Sequence, residues 1–216
     1  MGEGEWTEEL CRTYARYMES NVPHDHRPWA RRIAEDWPDL PAGATVVDVA
    51  GGPAFLLAEI APLLRTPRLV IADVSATMVR LAGERAAGRA LAVEGIVCPA
   101  EKLALPDAAA DLVLCKHALR LVQDINAALR EMARVLKPSG RAYLIDFEPE
   151  GAWLGRTLLE LWIRLTAPPF IRAAFAETMR IGPPASSLRL RLRAAGFANA
   201  SVLASGVSYL VRATKE

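Results

Sequence analysis

The chain has little of what would tie it to a disulfide scaffold, a structural metal or a membrane span. Its three cysteines, Cys11, Cys98 and Cys115, lie far apart. They are odd in number and form no Cys-x-x-Cys or Cys/His ligand spacing. That argues against both a disulfide framework and a zinc site, so no metal is expected and a reducing cytoplasm is the simple reading. No uninterrupted apolar run reaches the roughly 18 to 20 residues that cross a bilayer. Residues 1–6 are acidic rather than apolar, so a secretory signal is not expected. Gly2 suits myristoylation, but Trp6 stands where Ser or Thr belongs. A one-signed charge is missing as well. The net charge is +1 with acids and bases interleaved, which leaves a nucleic-acid partner without electrostatic support. Lysine is rare, confined to positions 102, 116, 137 and 215, and arginine carries nearly all the basic charge.

What is present is a packed α/β pattern. An apolar fraction of 52% argues against disorder, and 216 residues suffice for one domain, with or without a cap. Short β-branched runs at 44–49, 67–72, 91–98, 111–115 and 141–147 alternate with helical stretches, the signature of a mostly parallel sheet covered on both faces. Ser75 and Asp124 are placed to cap two of these helices, and Pro138-Ser139-Gly140 to stop the second. The tail, 198–203 then 207–213 around Ser205-Gly206, reads as a hairpin, so one strand should run antiparallel. Two segments interrupt the alternation: an aromatic, His-bearing N-terminal stretch within 1–40, and a helical insertion at about 151–184 in the remaining unit, 41–216. Both are expected to cover the sheet's carboxyl edge, where open α/β sheets bind ligands.

Two motifs carry chemistry. The first strand runs Val46-Val47-Asp48-Val49 into the small residues Ala50-Gly51-Gly52-Pro53-Ala54. Small residues let a ligand approach the backbone, and the following helix turns its N-terminus towards it. A tight turn with no ligand is the plain alternative. The second strand ends in Ala72-Asp73-Val74-Ser75. A carboxylate there, ~20 residues beyond the glycines, can accept both hydroxyls of a ribose. Alone it could equally be a helix-capping acid.

These motifs, followed by Pro99-Ala100-Glu101-Lys102-Leu103-Ala104-Leu105-Pro106-Asp107, Ala110-Asp111-Leu112-Val113, the stretch from Ala128 to Arg141 and Leu192-Arg193-Ala194-Ala195-Gly196-Phe197, resemble class I S-adenosylmethionine-dependent methyltransferases of the ubiquinone/menaquinone-biosynthesis type (type 11). The resemblance implies a doubly wound, Rossmann-like, seven-stranded α/β sheet with one antiparallel strand. It implies S-adenosylmethionine as cofactor and S-adenosylhomocysteine as product. Residue by residue, it implies that Asp48 is a cofactor-binding residue, that Ala50, Gly51 and Gly52 meet the methionine part, Asp73 the ribose, and Val74 and Met78 the adenine. Ala100 and Glu101 would present main-chain and side-chain groups to the adenine edge, and Cys115 and Lys116 would border the transferring methyl. The chain departs from the family pattern at Ala50 and Ala54, where glycine is usual. A methyl group there is expected to require negative φ and a slightly more distant cofactor. Pro99 replaces an acidic residue and removes an adenine hydrogen bond worth ~0.5–1.5 kcal/mol.

Transfer from a sulfonium is an in-line displacement that chiefly needs positioning, and a base only if the acceptor starts protonated. His117, just past the fourth strand, is the candidate catalytic base; a histidine satisfied within the next helix is the alternative. For the small-molecule acceptor the candidates are Tyr14, Tyr17, His24, His26, Arg120 and Trp162. Each has a plainer reading: core packing for the tyrosines, exposed loop positions for His24 and His26, a solvated charge for Arg120. The apolar, arginine-edged insertion around Trp153, Leu158 and Trp162 is expected to close the site; a hydrophobic acceptor, a homodimer contact or peripheral membrane contact would use the same face. Oxygen, nitrogen, carbon and sulfur acceptors, and monomer and homodimer, all stay open. The rival functions are a repurposed cofactor-binding descendant without methyl transfer and an NAD-dependent oxidoreductase, the latter opposed by the missing Gly-x-Gly-x-x-Gly spacing.

Overall fold

In the computed structural model, residues 7–151, 153–178, 181–204 and 206–216 are described; the opening residues 1–6, with Gly2 and Trp6, and Ser205 of the hairpin turn lie outside them. The chain begins with α1 (Glu8–Glu19) and α2 (Val22–Asp36). It continues β1 (Thr45–Val49), α3 (Phe55–Ile60), β2 (Arg68–Asp73), α4 (Ala76–Ala87), β3 (Val93–Val97), β4 (Ala110–Lys116), α5 (Ile125–Val135) and β5 (Leu136–Phe147). Then come α6 (Trp153–Thr166), α7 (Pro169–Thr178), α8 (Ala185–Ala194), β6 (Phe197–Ala204) and β7 (Ser208–Lys215). The strands form one sheet in the order β3-β2-β1-β4-β5-β7-β6. β7 pairs antiparallel with both neighbours and every other pairing is parallel. The expected doubly wound sheet with a single reversed strand is therefore the fold.

Its central strands are buried on both faces, as a parallel sheet requires. On β4, Leu112 and Leu114 join Val46, Tyr143 and Ile145 under α2 and α3. Val113 and Cys115 face the opposite way, into the core with Leu129, Met132 and Leu188 from α5 and α8. The caps hold as the sequence suggests: Ser75 Oγ accepts from the Met78 amide, and Asp124 Oδ1 from those of Asn126 and Ala127. The stop after α5 differs. Strand β5 starts directly at Leu136, and Pro138-Ser139-Gly140 lies within it, where the pairing register slips between Ala110 and Leu112. Ser139 has φ of 65°, and a Cβ on Gly140 would come 2.8 Å from the Lys137 carbonyl oxygen. The turn residues build a bulge, the one place in a strand that tolerates proline.

The N-terminal helices dock onto the sheet's helices. On α1, Cys11 and Ala15 pack against Met78 and Leu81 of α4, while Tyr14 and Tyr17 lean on a cluster of Phe147, Ile163, Ala167 and Ile171 that anchors α6 and α7.

Candidate functional site

The carboxyl ends of β1, β2, β3 and β4 open into a cavity of about 750 Å³. Its lining comes from the turn after β1, from Asp73 to Met78, from Cys98 to Glu101, from Lys116 to Asp124, and from Tyr14, His26, Phe170, Ile171 and Phe175 contributed by α1, α2 and α7. Four strands ending together at a change of winding direction leave such a crevice by geometry.

The turn after β1 is shaped by close contact. A Cβ on Gly51 would stand 2.5 Å from Asp48 Cγ, and Gly52 has φ of 54°. Ala50 and Ala54 also take positive φ, 51° and 58°. The expectation of negative φ at both alanines is thus corrected: the turn keeps the left-handed geometry that glycine usually serves, against a cost of roughly 1–2 kcal/mol per alanine. The Ala50 amide still donates to the Ala72 carbonyl at 2.7 Å, so the pairing of β1 with β2 enforces the conformation.

Asp73 ties that turn to the next. Its Oδ2 accepts from the Gly52 amide and its Oδ1 from the Ser75 amide, each at 2.9 Å. The capping-type bond and a ligand role are compatible, because each oxygen keeps a second lone pair. Burial raises the Asp73 carboxyl against the pull of those amides. Asp48 is 1% exposed and neither of its oxygens finds a hydrogen-bond partner of normal geometry. Burial, reinforced by the negative charge of Asp73, pushes its pKa up to about 7, against smaller opposing effects of Lys116 and the Leu57 amide.

At the tip of β4 three charged or polar groups meet. The alternation that sets Leu112 and Leu114 on the α2 face carries Lys116 there too. Its Nζ donates to Asp25 Oδ2 at 2.7 Å and lies 3.0 Å from His117 Nδ1. Burial lowers the Lys116 pKa and Asp25 opposes that; burial raises Asp25, but Lys116, His117 and His26 together outweigh it and the net shift is downward. His117 has φ of 56°, donates its amide to the Ile145 carbonyl at 2.7 Å, and stacks on Phe147 with centroids 4.3 Å apart. Burial and then the Lys116 ammonium hold its pKa well below the ordinary value, so the ring is neutral. Its Nε2 is buried without a partner. Arg120 pairs with the fully buried Asp146 at 2.6 Å, while its Nε is also left without a partner.

Most of the residues singled out in the sequence converge here. Asp48, Ala50, Gly51, Gly52, Asp73, Val74, Met78, Ala100, Glu101, Lys116, His117, Tyr14, His26 and Arg120 all line the cavity. Glu101 differs in what its side chain does: Oε1 accepts from the amides of Gln123 and Asp124, bracing the loop before α5. Four residues lie away from the cavity wall. Cys115 points to the opposite sheet face, 1% exposed. Tyr17 packs on Trp162, and its hydroxyl meets Thr166 at 3.4 Å. Trp162 is itself exposed. His24 is exposed on α2 while His26 is buried, the divergence that i, i+2 spacing imposes on a helix. The segment is therefore helix rather than loop. Sequence reasoning passed over Asp25, Cys98, Leu121, Val122 and the α7 residues Phe170, Ile171 and Phe175. An apolar, aromatic stretch in an insertion was the only available signal for the last three.

The unpartnered Asp48 carboxylate, the glycine cradle and the spare lone pairs of Asp73 suit a ligand bearing a cation, a close-fitting chain and a ribose. Comparisons agree. A family described as "methyltransferase domain" matches residues 47–144. The ubiquinone/menaquinone biosynthesis C-methyltransferase UbiE of Escherichia coli is 32% identical over 204 residues, covering 88% of this chain and 81% of that one. Among solved structures, a SAM-dependent methyltransferase from Aquifex aeolicus superposes with a TM-score of 0.67 at 22% identity, over 87% of this chain and 89% of the other. The [4+2]-cyclase SpnF superposes at 0.68 with 19% identity, over 88% and 81%; likenesses this distant speak for the fold alone. The chain belongs to the class I S-adenosylmethionine-dependent methyltransferases, and it transfers the methyl group of that cofactor.

Proposed function

We propose that the acceptor is a small hydroxylated aromatic ring of the quinol kind, methylated on carbon. The observation that carries this is how the unpartnered groups around the cavity are sorted. The ends of β1 and β2 present acceptors, the orphan carboxylate of Asp48 and the lone pairs of Asp73. The residues after β4 present the unpartnered nitrogens His117 Nε2 and Arg120 Nε; the arginine N–H is a donor in every state and the histidine nitrogen is one in its Nε2–H form. Acceptors suit a cationic cofactor; donors suit an oxygen-bearing, partly anionic acceptor, while Phe170, Phe175 and Tyr14 add aromatic wall. The E. coli relative's name, a C-methyltransferase of ubiquinone and menaquinone biosynthesis, points the same way.

When bound, the sulfonium supplies an already activated methyl group. Ala50, Gly51 and Gly52 would hold its methionine part, Asp48 would offset its positive charge, Asp73 would hold the ribose, and Val74, Met78, Ala100 and Glu101 would enclose the adenine. Lys116, His117 and Arg120 hold the acceptor's oxygen and so aim its neighbouring carbon. Such positioning can contribute ~7–11 kcal/mol. Residues 1–40 and the insertion at 151–184 act as the cover that excludes water, with 41–216 as the catalytic unit. The cavity is lined from one chain, so monomer and homodimer are equally serviceable. A cytoplasmic setting fits three cysteines that are all buried and form no disulfide, and a nearly neutral chain fits a small molecule better than a nucleic acid. No described helix is long and apolar enough to cross a membrane; α6, with Trp153, Leu154, Leu158, Leu161 and Leu165 exposed, suits peripheral contact where a prenylated acceptor resides.

The test is incubation with methyl-labelled cofactor and reduced, prenylated benzoquinols and naphthoquinols lacking one ring methyl. A ring-carbon methyl, located by NMR, is expected; exclusive O- or N-methyl products, or turnover only on amines, would overturn the reading.

A further inference from the structure

The proposed reading leaves open what His117 contributes, and the charges around it decide that. We propose that Asp25, delivered by α2, is a positioning residue that acts through Lys116 to lock His117 as the Nε2–H tautomer. His117 then donates a hydrogen bond to an oxygen of the methyl acceptor and does not serve as its base.

The argument is one of donors and acceptors. An ammonium has three hydrogens and no lone pair. Lys116 gives one hydrogen to Asp25 at 2.7 Å, and its Nζ stands 3.0 Å from His117 Nδ1. Nδ1 must therefore be the accepting nitrogen, and a neutral imidazole that accepts at Nδ1 carries its proton at Nε2. The alternative is a neutral Lys116 accepting from Nδ1–H. That would replace the charge-assisted bond from the ammonium to the Asp25 carboxylate at 2.7 Å by a weaker one from a neutral amine. Asp25 thus decides the charge of Lys116, and Lys116 decides the tautomer. The ring's plane is fixed, and of the two orientations related by a half-turn within that plane only the one with Nδ1 towards Lys116 makes this contact. Its backbone is pinned to β5 through the Ile145 carbonyl, and its face lies on Phe147, which Phe175 meets edge-on at 5.7 Å. The outcome is an N–H that is buried, belongs to a residue lining the cavity, and has no partner among the described residues. A carbonyl or phenolate oxygen of the acceptor is the chemistry that satisfies it.

The inference rests on the proposed acceptor only for the identity of that oxygen. The tautomer is measured without turnover, which keeps the two ideas separable. The chain has three histidines, so full-length protein labelled with ¹⁵N-histidine gives few ring signals, and those lost in His117→Gln belong to His117. The expected spectrum is that of an Nε2–H imidazole from pH 6 to 8. The charged or titratable groups facing it are Lys116, Arg120, and Asp25 and His26 of α2. Asp25→Asn is expected to shift the ring signals towards Nδ1–H, and Asp25→Glu to restore them, with circular dichroism confirming that each variant folds. His117→Gln, which keeps an N–H donor, is expected to retain kcat/KM within about tenfold, whereas loss of a general base costs ~10²–10⁴-fold. An Nδ1–H or imidazolium spectrum in the unsubstituted protein, ring signals indifferent to Asp25→Asn, or a base-sized loss in His117→Gln would each overturn the proposal. A tautomer as expected in a protein that methylates no aromatic carbon would sink the acceptor assignment alone.

Discussion

The carboxyl group of Asp48 lines the cavity from within β1 and is held largely out of water. Its pKa stands at about 7 with both oxygens unpartnered, while in an unfolded chain it would titrate near the ordinary 3.8. A carboxyl raised in this way favours the folded state while protonated. As pH rises from 3.8 towards 7 the unfolded chain ionises first, so stability falls, and above 7 the loss is complete. Asn copies the neutral form at every pH. Asp48→Asn is therefore expected to stabilise the cofactor-free protein at pH 8 by up to about 4 kcal/mol, at 1.36 kcal/mol per pKa unit, and to leave it nearly unchanged at pH 4. It should also weaken S-adenosylmethionine binding at pH 8, where the cation loses its counter-charge. Urea unfolding at the two pH values and calorimetry at the higher one check this; equal stabilisation at both pH values would count against it. At the same scale, Ala50, Gly51, Gly52 and Asp73 were legible in the sequence because strand-end position and residue size alone mark them. Asp25 was not, since nothing in the spacing of residues 25 and 116 shows that they meet.

At the scale of elements, β4 shows how alternation distributes chemistry. Lys116 turns to α2 and finds Asp25, while Cys115, one residue earlier, turns into the core beneath α5. Both had been expected at the methyl group, and strand period 2 allows only one of two adjacent residues on a given face. The insertion divides similarly. Helix α7 sends Phe170, Ile171 and Phe175 to the cavity, whereas α6 buries Ile163 and exposes Leu154, Leu158, Leu161 and Leu165. Arg164 and Arg172 are exposed nearby, and such an edge favours anionic lipid. We expect the protein to co-sediment with phosphatidylglycerol-containing vesicles. The double variant Leu158→Glu/Leu161→Glu should lose at least tenfold in vesicle affinity, since burying a leucine contributes roughly 1.5–3 kcal/mol. Turnover of a short-chain, water-soluble quinol should be unaffected. Wild-type protein that stays in the supernatant would dispose of the membrane role.

For the molecule as a whole, the cavity joins elements from residue 14 to residue 175, so ligand binding is coupled to the stability of nearly the entire fold. S-adenosylmethionine at a hundred times its Kd should add about 2.7 kcal/mol, which for a chain of this size raises Tm by roughly 5–10 °C. NAD should produce no shift, because the turn lacks the glycine spacing that receives a pyrophosphate. A melting curve displaced equally by NAD would contradict the site as described. The alternation of strands and helices, the closing hairpin, and the small residues and acid at the cavity's edge follow from local information: hydrophobic period, capping residues, and residue type at strand ends. Those are short-range signals, and each can be read where it stands. The tertiary structure alone decided which of Lys116 and Cys115 reaches the cavity, which insertion helix supplies its wall, and that Asp25 from the N-terminal helices meets Lys116 beside His117. These depend on contacts across tens of residues of chain, made by packing, which leave no periodic trace in the sequence.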